Sequence, residues 1–144
     1  MKTIYLILTI ICINVMSVWA QVPDNITQKF KMAYPEAGNV KWKTEKKGYK
    51  ATYHDAAQMK HSVYYDNEGN MTKHEYQVVK KEAPAAIYDY CSKYYPQETI
   101  SEVWVEEDKS GNKTYYITHK QEVLYFDNNG NYIKKTSVSV EKTK

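Results

Sequence analysis

The segment Tyr64-Tyr65-Asp66-Asn67-Glu68-Gly69-Asn70 returns almost unchanged as Tyr125-Phe126-Asp127-Asn128-Asn129-Gly130-Asn131. Each copy places Asp, Asn and Gly after an aromatic pair, a pattern that is typical of a tight β-hairpin turn. The Asp carboxylate can accept a nearby backbone N–H, and Gly can adopt the positive φ that such a turn requires. The two copies are 61 residues apart, counted from Asp66 to Asp127. The sequence therefore predicts a tandem duplication.

The first 20 residues have the features of a secretory signal peptide. Met1-Lys2 gives a positive start, residues 4–15 are almost wholly apolar, and Val18-Trp19-Ala20 offers a cleavage site after Ala20. The apolar run is short for a membrane span, and no basic stop-transfer cluster follows it. We therefore expect a periplasmic or secreted protein with no membrane span after cleavage.

Composition limits the classes of partner and the means of stabilisation. All 20 basic residues are Lys, and 17 acidic residues nearly balance them. An exported chain with no Arg and no long basic run does not suit nucleic-acid binding. After signal cleavage the chain keeps one cysteine, Cys91, so no internal disulfide can form and the core must hold the fold.

The first repeat, residues 21–81, is predicted to contain one helix and four strands. A proline begins the helix and another ends it, because proline suits a first helical position and disfavours helix in the residue before it. Period-two alternation predicts the strands, and polar turns join them into an antiparallel meander. The two prolines are Pro23 and Pro35, the apolar stripe of the helix is Val22, Ile26, Phe30 and Tyr34, and the strands cover 40–43, 49–54, 59–65 and 71–79.

The second repeat, residues 82–144, follows the same order. Its helix runs from Pro84 to Tyr95-Pro96, with Ile87, Cys91 and Tyr94 as the apolar stripe, and Cys91 is expected to be a buried small hydrophobe. Trp42 and Trp104 are 62 residues apart, which suggests one added residue in the loop after the second helix. The predicted strands cover 103–106, 114–119, 123–126 and 132–140.

Together the repeats predict an α+β fold. Eight antiparallel strands would form a concave sheet with both helices on one face, and the other face would be open. Whether the two four-stranded halves join into one sheet is left undecided by the pattern.

The chain resembles the bacterial PepSY-like family, also called beta-lactamase-inhibitor-protein-like. Both halves carry the features of the resemblance, which covers residues 22–140: a short helix that starts at proline and ends at Tyr-Pro, an early-strand Trp, Tyr-x-Ala or Tyr-x-Ile in the second strand, and the repeated turn. The resemblance implies tandem helix-plus-sheet repeats, export, and a protein-binding or inhibitory role. It brings no catalytic residues.

The alternation also predicts which side chains a partner could reach. If Trp42, Tyr53 and Val63 face the helices, the intervening residues face outward. Tyr and Val clustered on an exposed sheet face are typical of protein interfaces. We therefore expect a non-enzymatic protein-binding module whose partner is a hydrolase, such as a β-lactamase or protease, or an envelope protein. The predicted partner-binding residues are His54, Tyr64, His74, Tyr76, Val103, Val105, Tyr116 and Tyr125, and Thr118 and Val123 are predicted on the same face.

Other functions remain as alternatives or have no support in the sequence. A small-molecule or metal sensor would use His54, His74 and neighbouring Tyr, and an envelope-assembly component would need no discrete ligand. The repeated turn lacks the spacing of oxygen ligands in an EF-hand calcium loop. No phosphate loop, nucleophile elbow or His-Glu-x-x-His is present, so neither an enzyme nor a cofactor is predicted.

Overall fold

The computed structural model describes residues 21–137. The predicted signal peptide and the end of the last predicted strand lie outside these residues. The helices are α1 (Asp24–Ala33) and α2 (Ala85–Tyr94), and a 3₁₀ turn covers Lys80–Glu82. The strands are β1 (Gly38–Glu45), β2 (Gly48–His54), β3 (Lys60–Tyr65), β4 (Met71–Val78), β5 (Val103–Asp108), β6 (Lys113–His119), β7 (Glu122–Phe126) and β8 (Tyr132–Ser137).

The eight strands form one antiparallel sheet in chain order. The last strand of the first repeat pairs directly with the first strand of the second, with Tyr76 opposite Val105. The two halves are therefore continuous. The predicted α+β fold of two helices on an eight-stranded antiparallel sheet is confirmed. Within residues 21–137, neither helix is long and apolar enough to cross a membrane.

Proline positions determine where both helices begin and end. The carbonyl of Pro23 accepts the backbone N–H of Ile26 at 3.0 Å, and that of Pro84 accepts the N–H of Ile87 at 3.1 Å. Each helix ends at a tyrosine that precedes a proline, because the proline ring disfavours helical geometry in that tyrosine. The predicted helix limits are confirmed in both repeats.

Two apolar cores lie between the helices and the sheet, on what we call the helix face; the opposite surface, which carries no helix, is the open face. Ile26 and Phe30 of α1 are at most 1% exposed, and Ile87 and Cys91 of α2 are at most 3% exposed. The predicted burial of Cys91 is confirmed. The predicted burial of Tyr94 is wrong, because this last helical residue is 56% exposed and Tyr95 packs on the core instead.

The repeated turn is closed by its own aspartate. Asp66 Oδ1 accepts the backbone N–H groups of Glu68 and Asn70 at 3.0 and 2.8 Å, and its Oδ2 accepts Asn70 Nδ2 at 3.0 Å. Asp127 makes the same three bonds at 2.9, 2.8 and 3.0 Å. A third copy, which the sequence analysis did not identify, begins at Asp108 between β5 and β6. The carboxylate thus satisfies the backbone groups that a tight turn leaves unpaired.

Two of these three turns also contact a helix. A Cβ added at Gly69 would lie 2.9 Å from Ile26 Cγ1, and one added at Gly130 would lie 2.7 Å from Pro84 Cβ. At Gly111, in the third turn, the nearest atom would be Glu107 Oε1 at 3.9 Å. All three glycines have a φ between +80° and +84°. Backbone geometry therefore requires glycine in each turn, and helix contact requires it in two.

A β-bulge follows each turn that contacts a helix. Tyr65 pairs with Met71, whereas Tyr64 pairs with Lys73, so Thr72 is an extra residue in β4. The same shift makes Ile133 the extra residue in β8. Each bulge moves the rest of its strand by one residue, which exchanges the side chains of the two faces.

Two glycine-to-alanine substitutions distinguish the requirement for a positive φ from the requirement for close contact with a helix. Gly111→Ala should reduce the free energy of unfolding by about 1 kcal/mol, because only the positive φ is strained. Gly130→Ala adds a steric clash with α2 and should cost about 2–4 kcal/mol. Urea unfolding of the two variants and the parent protein measures both losses. Equal losses would show that the turn does not hold the helix in place.

Candidate functional site

The open face is defined by residues that stand opposite one another across neighbouring strands. Tyr64 pairs with Lys50 and Lys73, and Trp104 pairs with Tyr116. Directly opposed residues of an antiparallel pair point to the same face. The central residues of the open face are Lys50, Tyr64, Lys73, Glu75, Trp104, Glu106, Tyr116, Tyr125 and Lys134.

Four of the predicted partner-binding residues lie on the open face. His54 is exposed at the end of β2, while Tyr64, Tyr116 and Tyr125 are half-buried along the middle of the sheet. Thr118 and Val123 oppose each other on the same face, as predicted. The role of these residues in binding stays a prediction.

The predicted placement of His74 and Tyr76 on the open face is wrong. The bulge at Thr72 shifts β4, so that His74 pairs with Val63, a residue of the first core. Both side chains therefore point to the helix face. A metal or ligand site built from His54 and His74 together is excluded, because the two side chains lie on opposite sides of the sheet.

Val103 and Val105 were also predicted on the open face, and this is wrong too. They are 2% and 1% exposed in the core under α2. The error arose from matching Trp104 to Trp42. Trp42 lies on the helix face against Phe30, at 5.4 Å between ring centroids, whereas Trp104 lies on the open face. The true counterpart of Trp42 is Val103, one residue earlier.

An aromatic row crosses the second half of the open face. The rings of Trp104 and Tyr116 stack at 6.1 Å between centroids, and those of Tyr116 and Tyr125 lie 5.9 Å apart. Lys134 Nζ lies 5.3 Å from the centre of the Tyr125 ring. The row thus joins three strands and presents flat ring surface on the side that carries no helix. Trp104 is the residue that sequence reasoning missed here, and correct strand register would have identified it.

Beside the aromatic row lies a charged centre made by Tyr64, Lys73, Glu75 and Glu106. Lys73 Nζ donates to Glu75 Oε1 at 2.7 Å and to Glu106 Oε2 at 3.3 Å. Tyr64 donates its hydroxyl to Glu75 Oε2 at 2.7 Å, and Lys73 Nζ also lies 4.5 Å from the centre of the Tyr64 ring. The two carboxylates face each other across β4 and β5, so Lys73 is the group that compensates their repulsion.

The titration behaviour of this centre follows from these contacts. Burial lowers the pKa of Lys73, but Glu75 and Glu106 outweigh it, so that the pKa is raised. Burial raises the pKa of the Tyr64 hydroxyl, and the hydrogen bond to Glu75 raises it further. Burial also raises the pKa of Tyr116. At neutral pH the hydroxyls of Tyr64 and Tyr116 are therefore protonated and Lys73 compensates the two carboxylates, an arrangement that suits binding.

His74, which was predicted on the open face, belongs to a row of hydrogen-bonded polar side chains on the helix face. His61 Nε2 lies 3.2 Å from Asp55 Oδ2, and His61 Nδ1 lies 3.1 Å from His74 Nε2. The His61 ring stacks between Tyr53 and Tyr76, with centroids at 4.8 and 5.7 Å. In the described part of the chain, no three His, Cys, Asp or Glu side chains gather as metal ligands. The hydrogen bond between His61 and His74 can pass one proton between their rings, and this polar row adjoins both cores.

This arrangement disfavours a charge on His74. Burial, together with the nearby His61, lowers the pKa of His74 from 6.5 to about 4, and Glu75 opposes this only weakly. Tyr34 packs on the His74 ring at 5.4 Å and adds no positive charge. Tyr76 lies between His74 and Glu107, whose Oε2 is 3.4 Å from the tyrosine hydroxyl.

The depressed pKa predicts a pH-dependent stability. The unfolded chain binds a proton at His74 near pH 6.5 and the folded chain only near pH 4, so stability is complete above pH 6.5 and falls as the pH drops to 4. Allowing for screening at a partly exposed ring, we expect a loss of about 1–2 kcal/mol. Urea unfolding from pH 7 to 4 should show a shallower loss for His74→Gln than for the parent. The exposed His54→Gln serves as control, and equal slopes for all three proteins would contradict the assignment.

Solved structures with the same fold come from several Bacteroides species. A chain from Bacteroides eggerthii, described as "putative periplasmic", superposes with a TM-score of 0.72 at 17% identity, over 81% of this chain and 89% of its own. A DUF2874 family protein from Bacteroides uniformis gives 0.71 at 17% identity, over 84% and 93%. A BLIP-like protein from Bacteroides fragilis gives 0.68 at 18% identity, over 88% and 94%. No curated protein matches the chain.

The family comparison agrees with the internal duplication. The model described as "Putative beta-lactamase-inhibitor-like, PepSY-like" matches twice, at residues 14–73 and 65–134. The first match covers α1, β1 to β3 and the first three residues of β4, and the second covers β4, α2, β5 to β7 and the first three residues of β8. The predicted periplasmic or secreted location agrees with the description of the Bacteroides eggerthii protein. The chain belongs to the PepSY-like family, with two repeats of its fold.

Proposed function

We propose that this protein is an exported, non-enzymatic binding module that holds a partner protein against its open face. The partner that we propose is a hydrolase, which the module inhibits. The observation that carries the proposal is the aromatic row Trp104–Tyr116–Tyr125. Aromatic residues are the side chains that most often anchor protein interfaces, since they bury much area for little loss of conformational freedom.

The charged centre supports the same proposal in a different way. Lys73, Glu75 and Glu106 form a fixed ion cluster beside the aromatic rings. Fixed charges at an interface select a partner by complementarity more than they add affinity. The open face thus offers apolar anchors together with a charge pattern that can discriminate among partners.

The descriptions of the relatives support a hydrolase as the class of partner. The family is described as beta-lactamase-inhibitor-like, and one relative is called BLIP-like. Neither description names a catalytic activity. A β-lactamase or a protease of the same compartment is therefore the first partner to test.

The open-face residues can be tested by inhibition. The mature protein should inhibit at least one member of a panel of β-lactamases and proteases when it is supplied at high micromolar concentration. Trp104→Ala and Tyr116→Ala should each raise the inhibition constant at least tenfold, about 1.4 kcal/mol, as expected for a buried aromatic anchor.

Tyr94→Ala is the matched control, because Tyr94 is 56% exposed but lies on α2, away from the open face. It should leave inhibition unchanged. A panel left wholly uninhibited would remove the hydrolase from the proposal. An inhibition constant that responds to Tyr94→Ala and ignores both open-face variants would place the interface elsewhere.

A further inference from the structure

The second repeat has a cavity beside its core that is partly open to solvent. It has a volume of about 180 Å³ and lies between the end of α2, the segment 98–102 and strands β6 and β7. The residues that matter for its chemistry are Cys91, Tyr95, Glu98, Ile117 and His119. Cys91 and Ile117 belong to the core under α2, and Trp104 and Thr118, which lie on the open face, also line the cavity.

Two positions that line the cavity carry smaller side chains than their counterparts in the first repeat. Phe30 and Cys91 are 61 residues apart, and each accepts the capping N–H of the tyrosine that ends its helix. Tyr53 of β2 and His119 of β6 also occupy the same position when the two repeats are aligned on the aromatic residue just before the repeated turn and on its partner in the neighbouring strand. In the first repeat, the rings of Phe30 and Tyr53 pack together at 5.6 Å between centroids.

Exchanging phenylalanine for cysteine removes a phenyl ring, and exchanging tyrosine for histidine replaces a phenol ring by a smaller imidazole. Protein interiors are normally close-packed, with few voids larger than a water molecule. A cavity of this size that is partly open to solvent can be filled by water or by a ligand. The lost phenyl ring indicates the shape of a molecule that could replace it.

His119 supplies a polar group inside this space. Both of its ring nitrogens are buried, and neither forms a hydrogen bond with the residues that the structure describes. Nε2 lies 3.4 Å from Glu98 Oε1, which is an ion-pair distance, but the contact is not aligned as a hydrogen bond. Buried polar atoms without partners are rare in folded proteins and indicate a missing water or ligand. Tyr95, whose ring centre lies 4.7 Å from that of His119, adds an aromatic wall.

We propose that this cavity binds a small neutral aromatic molecule with one hydroxyl group, of the size of a phenol, hydrogen-bonded to His119. An engineered apolar cavity of about 150 Å³ is known to bind benzene, so the volume is sufficient for one ring. A phenol hydroxyl can both donate and accept, and therefore satisfies either tautomer of the imidazole. Cys91 and Ile117 form an apolar part of the lining, against which the ring would pack.

The test uses p-cresol, the side-chain analogue of tyrosine, and toluene, which lacks the hydroxyl. In NMR titrations of the mature protein, p-cresol should saturate with a Kd of ~1 mM or below, as expected for a ligand of this size. The shifted amide signals should surround Cys91 and His119. Toluene should bind at least fivefold more weakly, because it leaves the imidazole without a partner.

Two variants restore the residues of the first repeat and so fill the cavity. His119→Tyr and Cys91→Phe should each weaken p-cresol binding at least tenfold, and His119→Tyr should raise the melting temperature. His54→Tyr is the matched control, since it makes the same substitution at an exposed position of the open face and should change the Kd less than twofold. A cavity that holds only water gives no saturable shifts with p-cresol and overturns the proposal. Equal binding by the parent and His119→Tyr would overturn it as well.

Discussion

The contact between the repeated turn and the first turn of each helix is the constraint on which the remaining structure depends. Gly69 and Gly130 have no side chain, so the turn backbone can lie against Ile26 and against Pro84. The Asp carboxylate keeps that backbone in one shape, and the bulge that follows shifts the next strand by one residue. One short segment therefore places each helix and also decides which side chains the helix covers.

The shift by one residue creates the division between the two faces. Because β4 is shifted, His74 and Tyr76 join the helix face, while Lys73 and Glu75 come to the open face beside Tyr64. The next strand continues the same register, so that Val105 is buried and Glu106 meets Glu75. The same strand register therefore determines both the proposed interface and the two cores, and a change of register would alter both.

Much of the fold could be predicted from the sequence because its signals are local. Proline at both ends of each helix, alternation within strands and the Asp-to-Gly turn each act over a few residues, and together they predicted the number and order of the helices and strands. Which side chains of β4 and β5 point to the helix face could not be predicted in the same way. A bulge at Thr72 leaves no distinctive pattern, and Trp104 resembles Trp42 while facing the opposite side. Four predicted site residues were therefore correctly placed and four were exchanged with their neighbours.

The central claim is that the register decides which side chains are core and which are open to a partner, and one pair of variants measures it directly. Val105→Thr and Val123→Thr make the same near-isosteric change at two valines whose exposures differ only through register. Urea unfolding should show a loss of about 1–3 kcal/mol for Val105→Thr, because a buried hydroxyl lacks a partner, and less than about 0.5 kcal/mol for Val123→Thr. Equal losses, or a larger loss at Val123, would contradict the account.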